Sequence, residues 1–393
     1  MRSYFYLAAA ASVATAGPVP GIDMAWGQAS PLAAQAALVW QAADRQALLD
    51  EIDQSASEGL EPARYDGAAL RAAMENRSPD LDAIAERSAL RLAHDYAEGG
   101  ASGQARTGWF IGGEAPAYRE WLAQALSRHD LRASFRALLP HAAAYEALRE
   151  ALPSCDTAGH CATLKVNLGR WRWLPRALGY HYLWVNAPAF RLDLIENEHA
   201  VSSHRIIVGK TKSPTPSFAA AVTGVTANPW WTVPESIVAE SVGAAVRDHP
   251  AEAAEKGYVA IRDQNGRLHV RQQPGPKNAL GQVKLEMPNP YSIFIHDTPA
   301  RALFAEPVRA FSHGCIRTER PDQLARVILS SAGAASFDRA YRQGENRTIA
   351  LDAPVPVYVV YLTAEPDASA PGGVRYHDDV YRRDDRIAAA LSR

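Results

Sequence analysis

The sequence predicts an α+β chain: a helical amino-terminal half, then a mostly β, sandwich-like domain carrying a helical insertion. Two observations lead there. Residues 32–152 are dominated by Ala, Leu, Arg and Glu, with few β-branched runs. From about Lys165 the texture changes to period-two alternation separated by Gly-, Pro- and Trp-rich stretches. At 393 residues the chain is long enough for two or three domains. Its 47% hydrophobic and 21% charged residues are ordinary globular values. Lys+Arg 41 against Asp+Glu 43 leaves no basic excess, so nucleic acid is excluded as the expected partner. No apolar run reaches the ~20 residues of a membrane helix.

Residues 1–29 read as an export signal. Arg2 precedes an apolar, Ala-rich run, and Ala14-Thr15-Ala16 offers a small-residue cleavage site, with a second cut after Ala29. The expected compartment is therefore the periplasm or cell envelope. The helical domain follows over 32–152, with helices expected over Leu32–Ser57, Ala117–Ser127 and Ala142–Leu152. Another is punctuated by Ser78 as cap, Pro79 at its first position and a stop at Gly99-Gly100. His94-Asp95 in this region has no nucleophile beside it and reads as the polar face of a scaffold helix.

Residues 153–162 are expected to be a linker. They hold Cys155 and Cys161, six apart in a polar, Gly-containing stretch that can close as a disulfide loop in an oxidising compartment. A metal site through Cys155, His160 and Cys161, or two unbridged thiols, are the alternatives. The third cysteine, Cys315, is left over.

The β domain is expected over 163–363. Tyr182–Val185, Phe190–Ile195, Arg205–Gly209, Tyr291–Ile295 and Val355–Tyr361 read as strands, the last marked edge or bulged by Pro356. Glu235–Ala254 reads as the helical insertion, and the Asp/Arg-rich residues 364–393 as a flexible tail ending in a short helix.

The chemistry concentrates in Ile295-His296-Asp297-Thr298-Pro299 and Ser312-His313-Gly314-Cys315-Ile316-Arg317. A thiol attacks only as thiolate, so it needs a base or cation beside it. His296 lies nineteen residues upstream of Cys315, far enough for the chain to turn and bring it back. His313 and Cys315 are two apart on an extended segment, so His313 remains an alternative base. Arg317 shares a face with Cys315, and Gly314 removes a Cβ where a substrate carbonyl would approach. Asp297 reads as a turn residue before Thr298-Pro299. A metal site from His296, Asp297, His313 and Cys315 stays a minor alternative. Trp230-Trp231 reads as core or lid packing, with stacking on sugar rings the alternative. The order His before Cys sets the chain apart from papain-like hydrolases.

The Ser-His-Gly-Cys-Ile-Arg motif with His296 upstream resembles the active-site signature of the L,D-transpeptidases of bacterial peptidoglycan (the YkuD-type catalytic domain). Asn167–Pro175, Val185–Phe190, Arg205–Lys210, Asn228–Pro234 and Pro274–Gly281 resemble its larger, scaffold-bearing branch. The resemblance implies that Cys315 attacks the third residue of a tetrapeptide stem, expelling D-alanine, and that His296 is the general base and acid. It implies that Ser312, His313 and Gly314 shape the oxyanion loop, with the Gly314 and Cys315 amides as donors. For Arg317 it leaves two roles open, holding the loop or a substrate carboxylate. It implies 3→3 cross-linking, acylation by carbapenems, and no metal or organic cofactor; the partners are a donor stem and an acceptor amine. Larger relatives usually carry a peptidoglycan-binding domain between scaffold and catalytic regions, and here that space shrinks to Cys155–Cys161. Stem hydrolysis as an L,D-carboxypeptidase, or wall binding without catalysis, are the alternative functions.

Overall fold

A computed structural model of the chain describes residues 38–392 except 102 and 114; the leader expected over 1–29 lies outside the described residues. Helices α1 (Ala42–Gln54), α2 (Gly67–Glu75), α3 (Leu81–Glu98), α4 (Tyr118–Arg128), α5 (Leu131–Ala137), α6 (Ala143–Ala151) and α7 (Ala158–Arg172) form the amino-terminal half. In α3, Ala85, Ala89, Leu92, Ala93 and Tyr96 recur at helical spacing and are fully buried. Gly99 ends that helix at φ 83°, a left-handed position where glycine carries no Cβ penalty. Ser78 does not cap it. Its hydroxyl accepts from Asp80 N in the preceding turn (3.3 Å), and the helix begins at Leu81.

Residues 153–162 are not a linker, and the β domain does not begin at 163. Cys155 and Cys161 are joined as a disulfide. Thr157 caps α7 through its hydroxyl, which accepts from His160 N at 3.1 Å, and the helix continues to Arg172. It is enclosed by both halves of the chain, so Leu164, Val166, Leu168, Arg170 and Arg172 are all buried. Its start over 158–163 is exposed or half-buried, and from Leu164 on nearly every residue is buried, so no single apolar stripe marks the helix.

The remaining strands are β1 (His181–Asn186), β2 (Arg191–Glu196), β3 (His199–Gly209), β4 (Phe218–Ala227), β5 (Trp231–Thr232), β6 (Tyr258–Arg262), β7 (Leu268–Gln272), β8 (Val283–Glu286), β9 (Ile295–His296), β10 (Ala310–Ser312), β11 (Ile316–Thr318), β12 (Arg347–Val360), β13 (Ala364–Pro366) and β14 (Val374–Tyr376). One sheet runs β10-β3-β11-β9-β8-β4-β12-β1-β2, and β2 pairs back onto β3, wrapping the sheet around its core. Strand β12 is internal rather than an edge. Its register breaks between Ala350 and Val355, and Pro356 lies just past the break, paired with Ala221.

The insertion comprises α8 (Glu235–Ile237), a π-helical turn (Val238–Val242), α9 (Gly243–Asp248) and α10 (Pro250–Glu255), beside the small sheet β5-β7-β6. It has its own core of Val233, Val242 and Val270. Helices α11 (Pro321–Ile328) and α12 (Ser331–Gln343) lead into β12.

Residues 364–393 are not a flexible tail over their described part. They form β13, β14 and α13 (Asp384–Leu391), with Ile387 and Leu391 buried. The charges that made the segment look solvated are paired. Asp384 meets the buried Arg170 at 2.7 Å, Glu365 meets His377 and Arg191, and Asp379 accepts from Tyr361.

Candidate active site

Three neighbouring strands set the site. Lys284 of β8 pairs with His296 of β9, and His296 pairs with Arg317 of β11. In-register residues of adjacent strands share a face, so these three side chains stand in one row. The next residues along, Leu285, Ile295 and Ile316, point the other way into the core and are fully buried. Cys315 precedes β11 and lies two residues before Arg317; Ile316 N donates to Phe294 O at 2.8 Å, holding that segment against the approach to β9. The thiol is partly exposed and points its proton at Ser292 O, 3.8 Å away.

The electrostatics tie these groups together. Burial pushes the His296 imidazole down to about 3, with the Arg317 and Lys284 charges adding to the effect against the opposing backbone carbonyls of Asp297 and Leu280. Burial pushes the Cys315 thiol up, and the Phe294 backbone, Arg317 and Lys284 pull it partly back. The same two cations act on both groups. At rest the thiol and the imidazole are therefore both neutral. His296 Nδ1 is 2.5 Å from Asp297 O. A carbonyl only accepts, so Nδ1 carries the proton and Nε2 presents a lone pair.

Asp297 takes part through that carbonyl. Its carboxylate, buried and raised by that burial, accepts from Gln282 N (2.9 Å) and from Arg301 (2.9 Å). Gly281 is required here. It sits at φ 60°, and a Cβ on it would come within 2.3 Å of Asp297 Oδ2.

The loop before Cys315 is tied at both ends. Ser312 Oγ donates to Cys315 O (2.6 Å) and accepts from Gly314 N (3.0 Å). Gly314 stands at φ 116°, a conformation other residues avoid. The expectation of two oxyanion donors is corrected: the Gly314 amide is spent on Ser312, and the Cys315 amide is the one left without an acceptor among the described residues. His313 turns away from the thiol. Its Nε2 lies 3.0 Å from Lys210 Nζ and 3.1 Å from Glu240 Oε2, on the helical insertion. Glu240 is lowered chiefly by His313 and then by Lys210.

Two contributors carried no motif. Lys284 is one residue of the alternation Val283-Lys284-Leu285-Glu286, and only strand register reveals that it flanks His296. Thr215 lies in the bend after β3. Its buried hydroxyl donates to Gly314 O (2.7 Å) and accepts from Gly209 N (2.9 Å). Trp231 packs against the insertion's core, and Trp230 lies under Arg271, 4.6 Å from ring centroid to guanidinium.

Residues 180–357 match the L,D-transpeptidase catalytic domain (YkuD) family, and residues 33–152 match the Scaffold domain family. A Haemophilus influenzae protein assigned as an L,D-transpeptidase is 28% identical over 260 residues, covering 61% of this chain and 51% of its own. The chain thus spans about half the length of that curated relative. Among solved structures, the L,D-transpeptidase from Mycobacterium smegmatis shares 13% identity over 46% of this chain and 58% of its own, at TM-score 0.24. L,D-transpeptidase 3 from Mycobacterium tuberculosis shares 14% over 46% and 61%, at TM-score 0.25. Superpositions that loose carry no structural argument. The family reading rests on the two family matches: residues 180–357 match the L,D-transpeptidase catalytic domain (YkuD), behind the Scaffold domain match over 33–152.

Proposed function

We propose that the chain is a cysteine-dependent acyltransferase that forms 3→3 cross-links between peptidoglycan stems, exported to the cell envelope. The observation that carries this reading is the row of Lys284, His296 and Arg317 across β8, β9 and β11, with Cys315 two residues before Arg317, within the YkuD-matching region.

The proton of Cys315 passes to His296 Nε2 as Sγ attacks the carbonyl of the third stem residue. Arg317 and Lys284 stabilise the sulfur's developing negative charge and resist a lasting imidazolium, so proton transfer accompanies attack. The tetrahedral oxyanion is held at the Cys315 N–H. On collapse, the C–N bond to the terminal D-alanine breaks, its nitrogen takes the proton from His296, and a thioester remains. An acceptor amine then attacks that thioester, gives its proton to His296, and releases Cys315 as thiol. Arg317 has no carboxylate within ion-pair distance among the described residues, so it is also placed to hold a substrate carboxylate.

Incubation with purified disaccharide-tetrapeptide tests the reading. Cross-linked dimer plus free D-alanine supports transfer. Tripeptide monomer alone replaces it with hydrolysis, and unchanged substrate leaves a wall-binding protein.

A further inference from the structure

One exposed aromatic ring of the helical domain stands at the catalytic domain's site. Phe110 is 57% exposed, one of the few large apolar side chains left open. It is nonetheless held firmly. Phe110 N donates to Ser217 O (2.7 Å), and Ser217 N donates to Gly108 O (2.8 Å), so Trp109 makes a single parallel β-bridge to Ser217 of the catalytic domain. Trp109 is buried edge-to-face on Trp173, with centroids 5.3 Å apart. The Arg383 guanidinium fills the space beside Gly108, so the segment is backed on that side too.

The ring stacks on Tyr291 (4.9 Å, 26° between planes), which leans on the buried Phe218. Tyr291 immediately precedes Ser292, whose carbonyl receives the Cys315 thiol. One side of the ring rests on Tyr291, and the ring stays 57% exposed.

We propose that Phe110 and Tyr291 form a stacking platform for a pyranose ring, through which the Scaffold domain favours glycan-linked stems over free peptides. The proposal rests on the acyltransferase reading above. Geometry and chemistry both point to a sugar. Tyr291, on which the ring stacks, precedes Ser292, which receives the Cys315 thiol, and Ser217, which holds Phe110, is two residues from Thr215, which holds Gly314; three extended residues of a stem span roughly 10 Å. A ring placed there meets the sugar that bears the stem. The stem's carboxylates gain nothing from a phenyl face, whereas the C–H face of a pyranose packs flat on it.

Binding measured in a Cys315→Ala background tests this apart from turnover. Calorimetry compares disaccharide-tetrapeptide with the bare tetrapeptide, with and without Phe110→Ala. The expected result is a 5- to 20-fold weaker Kd for the disaccharide ligand, a change under twofold for the peptide, and retention of disaccharide binding in Phe110→Trp. Equal losses for both ligands, or none for either, would overturn the platform. In the chain with Cys315 intact, Phe110→Ala should leave the rate of carbapenem acylation within twofold, since that ligand has no sugar, and a larger loss would show the ring acting on the thiol site instead. Failure of the Cys315-containing enzyme to release D-alanine would overturn the acyltransferase reading separately, with the binding comparison still deciding the platform.

Discussion

Replacing Arg317 by Gln removes one of the two cations flanking His296. Arg317 is its direct neighbour across the β9–β11 pairing. At about 5 Å and an effective dielectric of about 20, one such charge is worth about 3 kcal/mol, or about two pKa units. His296 starts at about 3, so the variant should bring it to roughly 5. The rate of acylation by a carbapenem, followed by intact mass from pH 4 to 8 at fixed ionic strength, reads this directly. Between the low imidazole and the raised thiol, the original enzyme should show a plateau with no limb near pH 6.5. Arg317→Gln should show an acid limb entering the measured range from below, and a rate at pH 7 reduced by about tenfold or more as the sulfur loses its cation. An original enzyme that loses half its rate near pH 6.5, or a variant limb that moves down, would refute the electrostatic argument.

Three further outcomes are expected. Because His296 is neutral when folded and titrates near 6.5 when unfolded, the unfolded chain binds more protons below that value. Stability is full above pH 6.5 and falls towards pH 3 by up to about 1.4 kcal/mol per unit; His296→Gln should flatten that part of the slope in urea midpoints taken at pH 4–7. Thr215→Val strands Gly314 O and Gly209 N, which should lower unfolding stability by about 2–4 kcal/mol and slow acylation, with Thr215→Ser restoring both. Replacing Cys155 and Cys161 together by Ser opens a loop of sequence separation 6 and should lower stability by roughly 2 kcal/mol in the same urea assay, leaving acylation intact.

What the sequence disclosed was what is local. The thiol, its glycine and the upstream histidine sit in two short motifs, and the strands of the β domain alternate because one face is core and the other is not. Partners far apart in sequence stayed hidden. Arg170 and Asp384 look like surface charges until α13 packs on α7, which is why the carboxyl-terminal segment read as a loose tail. Helix α7 read as a linker followed by the start of the β domain because its first turns are polar and open while the rest is buried nearly all round, so neither part shows a periodic face. Lys284 and Thr215 reach the site only through strand pairing and a bend, features that no motif spacing reports. The spending of the Gly314 amide on Ser312 is likewise a matter of loop geometry rather than residue type.

The central claim is that one sulfur carries the acyl group. Brief incubation with disaccharide-tetrapeptide, acid quenching, digestion and peptide mass mapping tests it most directly. The account predicts a disaccharide-tripeptide adduct on the peptide containing Cys315, with D-alanine released in equal amount and both signals lost in Cys315→Ala. Cross-linking or D-alanine release that persists in that variant, or an adduct found on another residue, would contradict it.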